Sequence, residues 1–303
     1  MAKLYTPAME AFNKKYNTQK KKSRVNSPFR AAMRRLFRNK TAIVGMAIIA
    51  FLVLIVIFAD LIAPYEYQVQ NFREQSLKPC REHPFGTDAL GRDMFSRVVI
   101  GARYSLCIGL LCLFAGVCIG GLLGVIAGYF GGRVDNTIMR IMDVFQAIPG
   151  IMRTIGIVAA IGIGIPQLVF AMSIGQMTSM SKSWRAAVFT VKGSDYIESS
   201  RAIGASEAHI IVRHLVPNFL GIVIIGLVSG IGGAIMGVSS LAYLGLGIQP
   251  PTPEWGALLS AGKDYIRTSP HMVLFPGIAI AITVIAFTMF GQGLRDALDP
   301  KLK

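Results

Sequence analysis

Long runs of residues without any Asp, Glu, Lys or Arg constrain this chain more than any other feature. A membrane-spanning α-helix needs about 20 consecutive apolar residues to cross a hydrocarbon core about 30 Å thick. Only 16% of the 303 residues are charged, whereas soluble domains are about 25% charged. The sequence therefore predicts a helical membrane protein and excludes a soluble domain and a disordered chain. The uncharged runs are residues 43–59, 104–132, 154–181, 215–253 and 268–294.

The run at residues 154–181 is too long for one crossing and too short for two. A Gly- and Pro-containing turn at 162–166 divides it, and two crossings fit at about 141–162 and 166–188 if the first carries Arg153. Six crossings place 22 basic residues on the side of the termini and 8 on the other, whereas five crossings give 16 and 14. Because basic loops are retained in the cytoplasm, we expect six transmembrane helices with both termini cytoplasmic.

Charge and apolarity divide the chain into four parts. We interpret residues 1–40 as a basic cytoplasmic tail, 41–103 as a first transmembrane helix with an extracytoplasmic loop, 104–295 as a transmembrane core, and 296–303 as a C-terminal cytoplasmic tail. The first apolar run lies too far along the chain for a cleaved signal peptide. The tail has clusters of lysine and arginine, which can bind nucleic acid as well as anionic lipid headgroups. We favour contact with anionic membrane lipid and expect no nucleic-acid partner.

Glycines recur every four residues along the second apolar run. Such a stripe lets another helix approach backbone to backbone. The sequence leaves open whether the partner helix belongs to this subunit or to another. The stripe comprises Gly116, Gly120, Gly124, Gly128 and Gly132. The fifth predicted span has two glycine pairs with the same four-residue spacing, Gly226 with Gly230 and Gly233 with Gly237.

The outer loop predicts a short, capped interfacial helix at residues 87–98, with an apolar face that includes Met94 and Val98. Within it, Asp93 and Arg97 have the spacing of an exposed ion pair. The four cysteines indicate neither a disulfide framework nor a metal site, because Cys80 is alone in this loop and the other three fall within one span.

Arg153 is the unusual residue of the third predicted span. An arginine near the middle of a membrane costs at least about 2.5–3.5 kcal/mol, so such residues face water or a partner. Pro149 and Gly150 precede it and are expected to open the helix locally. We hypothesise that Arg153 lines a polar cavity on the substrate path and meets an anionic group. Snorkelling, or pairing with a neighbouring subunit, is the alternative.

The segment between the fourth and fifth predicted helices indicates a protein interface. It predicts a short helix at about 194–203 that ends at Gly204, then a second helix, with Pro217 at the start of the next span. The small residues Ser199, Ser200 and Ala202 suit docking into a groove of another protein. The residues alone do not identify that protein.

This segment resembles the cytoplasmic signature of the permease subunits of bacterial binding-protein-dependent ABC importers, in their dipeptide, oligopeptide and nickel branch. That signature is Glu-Ala-Ala, three residues, Gly, nine residues, Ile, one residue, Leu-Pro. It is similar here to Glu198-Ser199-Ser200, Gly204, His214 and Val216-Pro217. Residues 83–93, 243–256 and 293–300 are similar to the same branch, and the resemblance extends from about residue 29 onward.

The resemblance implies a type I importer permease fold in the bacterial cytoplasmic (inner) membrane. Its partners would be a second homologous permease subunit, two cytoplasmic ATPase subunits and an extracytoplasmic substrate-binding protein. Residues 195–205, within a coupling segment 193–217, would form a coupling helix that docks in a cleft of an ATPase subunit. Serines for alanines at 199 and 200 are small-for-small changes that preserve this fit. The implied coupling residues are Asp195, Tyr196, Glu198, Ser199, Ser200, Arg201, Gly204, Ala205 and Pro217.

The chain has no G-x-x-x-x-G-K-[ST] motif, so ATP and Mg are expected on the partner subunits. We expect that this chain holds no cofactor, metal ligand or catalytic residue and is not itself an enzyme, because its four histidines are scattered without a nucleophile or base nearby.

The expected function is ATP-driven import of di- or oligopeptides. Import of nickel or a nickel chelate by the same machinery is an alternative. An ion-coupled secondary carrier is another, although Asp143 is the only carboxylate available for it.

Overall fold

The computed structural model describes residues 28–298, and every regular element in that range is helical. This confirms the all-α prediction. Most of the predicted basic tail, up to residue 27, and the end of the predicted C-terminal tail, residues 299–303, lie outside the described residues.

Three of the long or loop-flanking helices begin at a polar side chain that accepts their first free backbone N–H groups. Asn39 does so for the second helix, Asp93 for the fourth and Glu254 for the eleventh. A π-helical turn, Ile210–Leu215, joins the ninth helix to the tenth. The helices are α1 (Pro28–Leu36), α2 (Lys40–Ile57), α3 (Ala59–Ile62), α4 (Met94–Phe130), α5 (Gly132–Ala147), α6 (Gly150–Ile161), α7 (Ile165–Val191), α8 (Asp195–Ala202), α9 (Glu207–His209), α10 (Val216–Tyr243), α11 (Trp255–Gly262) and α12 (His271–Leu298).

Four helical stretches are long and apolar enough to cross a membrane, namely α2, α4, the continuous stretch Glu207–Tyr243 and α12. The pair α5 and α6 adds a fifth if it is counted as one span, but its two helices meet at a bend of 90°. Helix α7 has 27 residues and occupies the predicted span 166–188, although it is not among these stretches. Length and composition therefore account for four or five crossings.

The predicted turn at 162–166 is confirmed. Helix α6 ends at Ile161, Gly162 adopts a φ of +93°, and α7 begins with Pro166 in its first turn. The uncharged run 215–253 is longer than the helix it contains, because α10 ends at Tyr243 and Gly245 then turns the chain with a φ of +81°.

Four glycines of the predicted stripe bring α4 against α7. A Cβ atom at Gly120 would lie 2.4 Å from the carbonyl oxygen of Met177, and one at Gly124 would lie 2.3 Å from that of Ser181. Gly116 and Gly128 make similar approaches to α7. The stripe therefore packs within the subunit. Its fifth member, Gly132, has no atom of residues 28–298 within 4 Å of its Cβ position and takes no part in this contact.

The fifth-span glycines contribute less to packing. Gly230 faces the side chain of Leu113 and Gly237 faces that of Met172, while Gly233 has no atom within 4 Å of its Cβ position. A tighter contact, which the sequence analysis missed, joins α2 to α12, where a Cβ at Gly45 would lie 2.8 Å from the carbonyl oxygen of Ala286.

The prediction of a separate short helix at residues 87–98 is wrong. Helix α4 runs without interruption from Met94 to Phe130, so residues after 93 form its first turn. The preceding residues make a turn in which Asp88 accepts hydrogen bonds from the backbone N–H groups of Leu90 and Arg92, at 2.8 and 3.0 Å. These bonds occupy the backbone groups that a helix starting at Thr87 would need.

The predicted exposed pair of Asp93 and Arg97 is also wrong, because both side chains are buried and have other partners. Asp93 Oδ1 lies 2.8 Å from His83 Nδ1, and Asp93 Oδ2 accepts a hydrogen bond from the Ser96 N–H. Arg97 donates to the carbonyl of Tyr67 at 2.8 Å. The segment between α3 and α4 thus folds over the start of α4 and supplies His83 and Tyr67 as partners.

We expect Gly120→Ala and Gly124→Ala to lower the thermal unfolding temperature of the purified protein in detergent. Each new Cβ would meet the backbone of α7, and overpacking of this kind costs about 1–3 kcal/mol. Gly156→Ala in α6 is the matched control, since no atom lies within 4 Å of that Cβ position. Equal unfolding temperatures for all three variants would contradict close packing of α4 on α7.

Candidate functional site

Helix α8, at the centre of the predicted coupling segment, follows the end of α7 as a short surface helix. Asp195 and Glu198 lie in its first turn, where negative charge stabilises the positive end of the helix dipole. Gly204 follows with a φ of +83°, a left-handed conformation that glycine adopts without strain. These features confirm the predicted helix and its predicted end.

An apolar side chain fixes α8 to the long helices. Ile197 is fully buried and packs in one cluster with Tyr129 of α4, Val188 of α7 and Phe219 of α10. Burial of an isoleucine side chain contributes about 1.5–3 kcal/mol relative to exposure. We therefore expect α8 to move together with the ends of these three helices.

A polar chain of contacts fixes the other end of α8. Arg201 donates a hydrogen bond to the Tyr129 hydroxyl at 3.1 Å, and that hydroxyl donates to the Glu207 carboxylate. Arg201 also lies over the Tyr129 ring, 5.8 Å from its centroid. The hydrogen bond to Tyr129 raises the pKa of Arg201 above its ordinary value, so the guanidinium stays charged at any physiological pH.

The outward surface of α8 includes small side chains whose polar groups already have hydrogen-bond partners. The hydroxyls of Ser199 and Ser200 donate to the carbonyls of Asp195 and Tyr196, each at 2.7 Å, so both are satisfied within the helix. Just beyond the helix, Ile203 is 85% exposed. A small helical surface beside an exposed apolar side chain is suited to cover by another protein.

Eight of the nine residues expected to take part in coupling lie together on α8 and the turn after it. Ala205, in that turn, is half-buried and packs against the same cluster as Ile197. Pro217 is separate, because it occupies the first turn of α10 beyond the π-helical turn. The helix is continuous through both elements, so Pro217 removes one N–H donor from it directly after the π-helical turn, where the helical hydrogen bonding is already irregular.

Arg153 lies one turn after the break between α5 and α6. Because Pro149 has no backbone N–H, the carbonyl of Phe145 at the end of α5 has no helical partner. Arg153 Nη1 donates a hydrogen bond to this carbonyl at 2.6 Å. Its Nε is buried and has no hydrogen-bond partner among residues 28–298. The guanidinium thus stabilises the break between α5 and α6, and some of its N–H groups remain without a hydrogen-bond partner in the described residues.

Arg153 also borders a cavity of about 340 Å³ between α6, α7 and α10. Gln176 and Ser240 add polar groups to its lining, and Met172 and Met236 add flexible apolar ones. No Asp or Glu lines the cavity within the described part of the chain. The cavity therefore has a positive charge and no carboxylate to balance it.

The described chain thus combines long apolar helices, a cavity that contains an arginine, and a short surface helix between two of the long helices. Residues 120–303 match the family model described as the binding-protein-dependent transport system inner membrane component. Residues 27–79 match the N-terminal transmembrane domain of oligopeptide transport permease C. The chain therefore belongs to the family of inner membrane components of binding-protein-dependent transport systems.

Curated relatives cover nearly the whole chain. The dipeptide transport system permease protein DppC of Alkalihalophilus pseudofirmus is 41% identical over 277 residues, which are 91% of each chain. The glutathione transport system permease protein GsiD of Escherichia coli O157:H7 is 42% identical over 285 residues, which are 93% of this chain and 94% of the relative. The resemblance found in the sequence motifs is thereby confirmed.

Two solved structures of the MetNI methionine ABC transporter in inward-facing conformations share the fold. One has a TM-score of 0.57 at 18% identity and the other 0.55 at 19% identity, and in both the match covers 68% of this chain and 98% of the solved chain. At this level of identity the similarity establishes the helical architecture alone.

Sequence reasoning missed the partners that hold the site in place. Tyr129 and Glu207 contact Arg201, but 78 residues separate the two in the chain and no local pattern links them. Gln176 reaches the Arg153 cavity from a helix whose polar residues gave no signal of their own. Phe145 was within reach of sequence analysis, because a proline four residues later always frees a helical carbonyl.

We expect Tyr129→Phe to increase amide hydrogen exchange in residues 195–215, because Arg201 and Glu207 both lose the hydroxyl that joins them. Exchange in the rest of α4 should change little. Hydrogen–deuterium exchange with mass spectrometry on the detergent-purified protein measures this. Tyr196→Phe is the matched control, since its hydroxyl makes no hydrogen bond with other described residues. Unchanged exchange in Tyr129→Phe would mean that Ile197 alone anchors α8.

Proposed function

We propose that this chain is one of two homologous permease subunits of an ATP-driven importer of short peptides in the bacterial inner membrane. Two cytoplasmic ATPase subunits, which bind ATP and Mg, and an extracytoplasmic binding protein complete the complex. The dipeptide and glutathione permeases among its relatives support a peptide cargo.

The observation that carries the proposal is the construction of the α8 surface. Ile197 and the Arg201–Tyr129–Glu207 contacts fix this helix to α4, α7 and α10, while its outer face is exposed. Force applied to α8 by a closing ATPase pair would therefore reach three long helices at once. In this proposal, the nine coupling residues form or support the contact with the ATPase, within segment 193–217.

We further propose six crossings with both termini in the cytoplasm. Helix α7 supplies the crossing that hydropathy alone does not reveal, because its 27 residues span about 40 Å. The ion pairs of Lys182 with Asp143 and of Arg185 with Asp135 neutralise the basic groups near its end. The excess of basic residues beside the termini supports this orientation.

Single-cysteine labelling of whole cells tests the number of crossings. In a cysteine-free background, Ile203→Cys should react with a membrane-impermeant maleimide only after permeabilisation, because six crossings place the α8 surface inside. Native Cys80, retained alone, is the matched control and should react in intact cells, since it is exposed in the outer loop. Labelling of both positions in intact cells would favour five crossings.

Substitution of Gly204 tests the ATPase contact. We expect Gly204→Trp to abolish co-purification of the ATPase subunits or to uncouple ATP hydrolysis from peptide uptake, because the side chain projects into open space beside α8. Gly204→Ala is the control for backbone strain at a φ of +83° and should retain at least part of the coupling. Uptake that needs no ATPase and follows an ion gradient would overturn the proposal in favour of a secondary carrier.

A further inference from the structure

We propose that the cavity between α6, α7 and α10 is a binding subsite for a carboxylate group of the cargo, with Arg153 as its specificity-determining residue. We call this cavity the carboxylate subsite; Arg153, Gly175, Gln176, Met172 and Met236 are the lining residues that define it. The inference rests on the proposed function and deepens it, because it assigns selection of a chemical group to the permease itself.

The hydrogen-bond donors of Arg153 provide the first support for the carboxylate subsite. Its Nη1 is committed to the Phe145 carbonyl, whereas its Nε is buried without a hydrogen-bond partner in the described residues. A buried donor that stays unsatisfied costs about 1–3 kcal/mol, and more when it is charged. A ligand carboxylate in the cavity would balance the positive charge, and a small shift of the guanidinium would bring this enclosed donor to it.

The charges around Arg153 are the second support. The two carboxylates of the adjacent helix α5 are already paired, Asp135 with Arg185 at 2.5 Å and Asp143 with Lys182 at 2.7 Å. Arg153 itself forms no ion pair within residues 28–298. An arginine without a counter-ion is costly at membrane depth, so an anion that enters the cavity gains from an interaction that the protein leaves open.

The shape and lining of the cavity are the third support. Its volume of about 340 Å³ lies at the lower end of the range of small-molecule pockets. The Gln176 amide makes no hydrogen bond with other described residues and offers a second donor. Met172 and Met236 are flexible and polarizable, so they can adapt to different side chains. Fixed recognition of a carboxylate beside an adaptable wall suits peptides of varied sequence.

Gly175 leaves the space that the guanidinium of Arg153 occupies. A Cβ atom at this residue would lie 2.7 Å from Arg153 Nη2. The absence of a side chain therefore lets the guanidinium lie directly against α7, at the cavity wall. Gly175→Ala should displace the guanidinium while it leaves the arginine and its charge in the protein.

The test uses the complete transporter in nanodiscs and a dipeptide that contains photoreactive leucine. The dipeptide is supplied in two forms, one with a free C-terminal carboxylate and one with a carboxamide. Crosslinking to α6, α7 and α10 is quantified by mass spectrometry without binding protein, so that the permease alone selects. We expect Arg153→Gln to lower labelling by the acid about tenfold, equivalent to about 1.4 kcal/mol, and to leave labelling by the amide unchanged.

Two further variants separate recognition from structure. Gly175→Ala should lower the acid-to-amide ratio in the same direction, and it keeps the test decisive if Arg153→Gln does not fold. Arg140→Gln removes an exposed basic residue of α5 that does not line the cavity, so it is the matched control and should keep the wild-type ratio.

Three outcomes would overturn the subsite. If both Arg153→Gln and Gly175→Ala keep the wild-type acid-to-amide ratio, Arg153 only stabilises the helix break. If Arg153→Gln releases the second permease subunit without a change of ratio, its partner is an acidic group of that subunit. In both cases ATP-dependent peptide import by the wild type leaves the proposed function intact. A wild-type complex that neither imports nor is labelled by any peptide would overturn the proposed function together with the subsite.

Discussion

Backbone-to-backbone packing of α4 against α7 is the contact on which the rest of the structure depends. Lipid is as apolar as a leucine side chain, so the hydrophobic effect does not drive helices together within a membrane. Close approach has to supply the attraction, and Gly120 and Gly124 permit it. Polar contacts add to it, such as the hydrogen bond from the Ser173 hydroxyl to the Cys112 carbonyl at 3.1 Å. Helix α7 is held by these contacts.

Both candidate sites lie along α7. Near its middle, Gly175 and Gln176 form one wall of the Arg153 cavity. Near its end, Val188 packs against Ile197 of α8. Since a helix is stiff and its packed neighbours have few alternative arrangements, the contacts of α7 fix the distance between the α8 surface and the cavity. The glycine contacts with α4 set the position of α7.

The break between α5 and α6 explains how an arginine is accommodated among these apolar helices. Pro149 leaves the Phe145 carbonyl without a partner, and the arginine four residues later supplies one. The positive charge also lies at the C-terminal end of α5, where the helix dipole favours it. Two features that are each costly in a membrane, a free carbonyl and a charged side chain, therefore offset one another in part.

The sequence by itself determined the features that local rules govern. The helical class, the turn at 162–166, the break at Pro149 and the end of α8 at Gly204 each follow from side chains within a few residues. Tertiary structure alone decided which groups Asp93 and Arg97 contact and which helix the glycines of α4 pack against. It also decided that α6, α7 and α10 come together around Arg153. Those outcomes depend on groups far apart in the chain, whose proximity is set by packing and not by spacing.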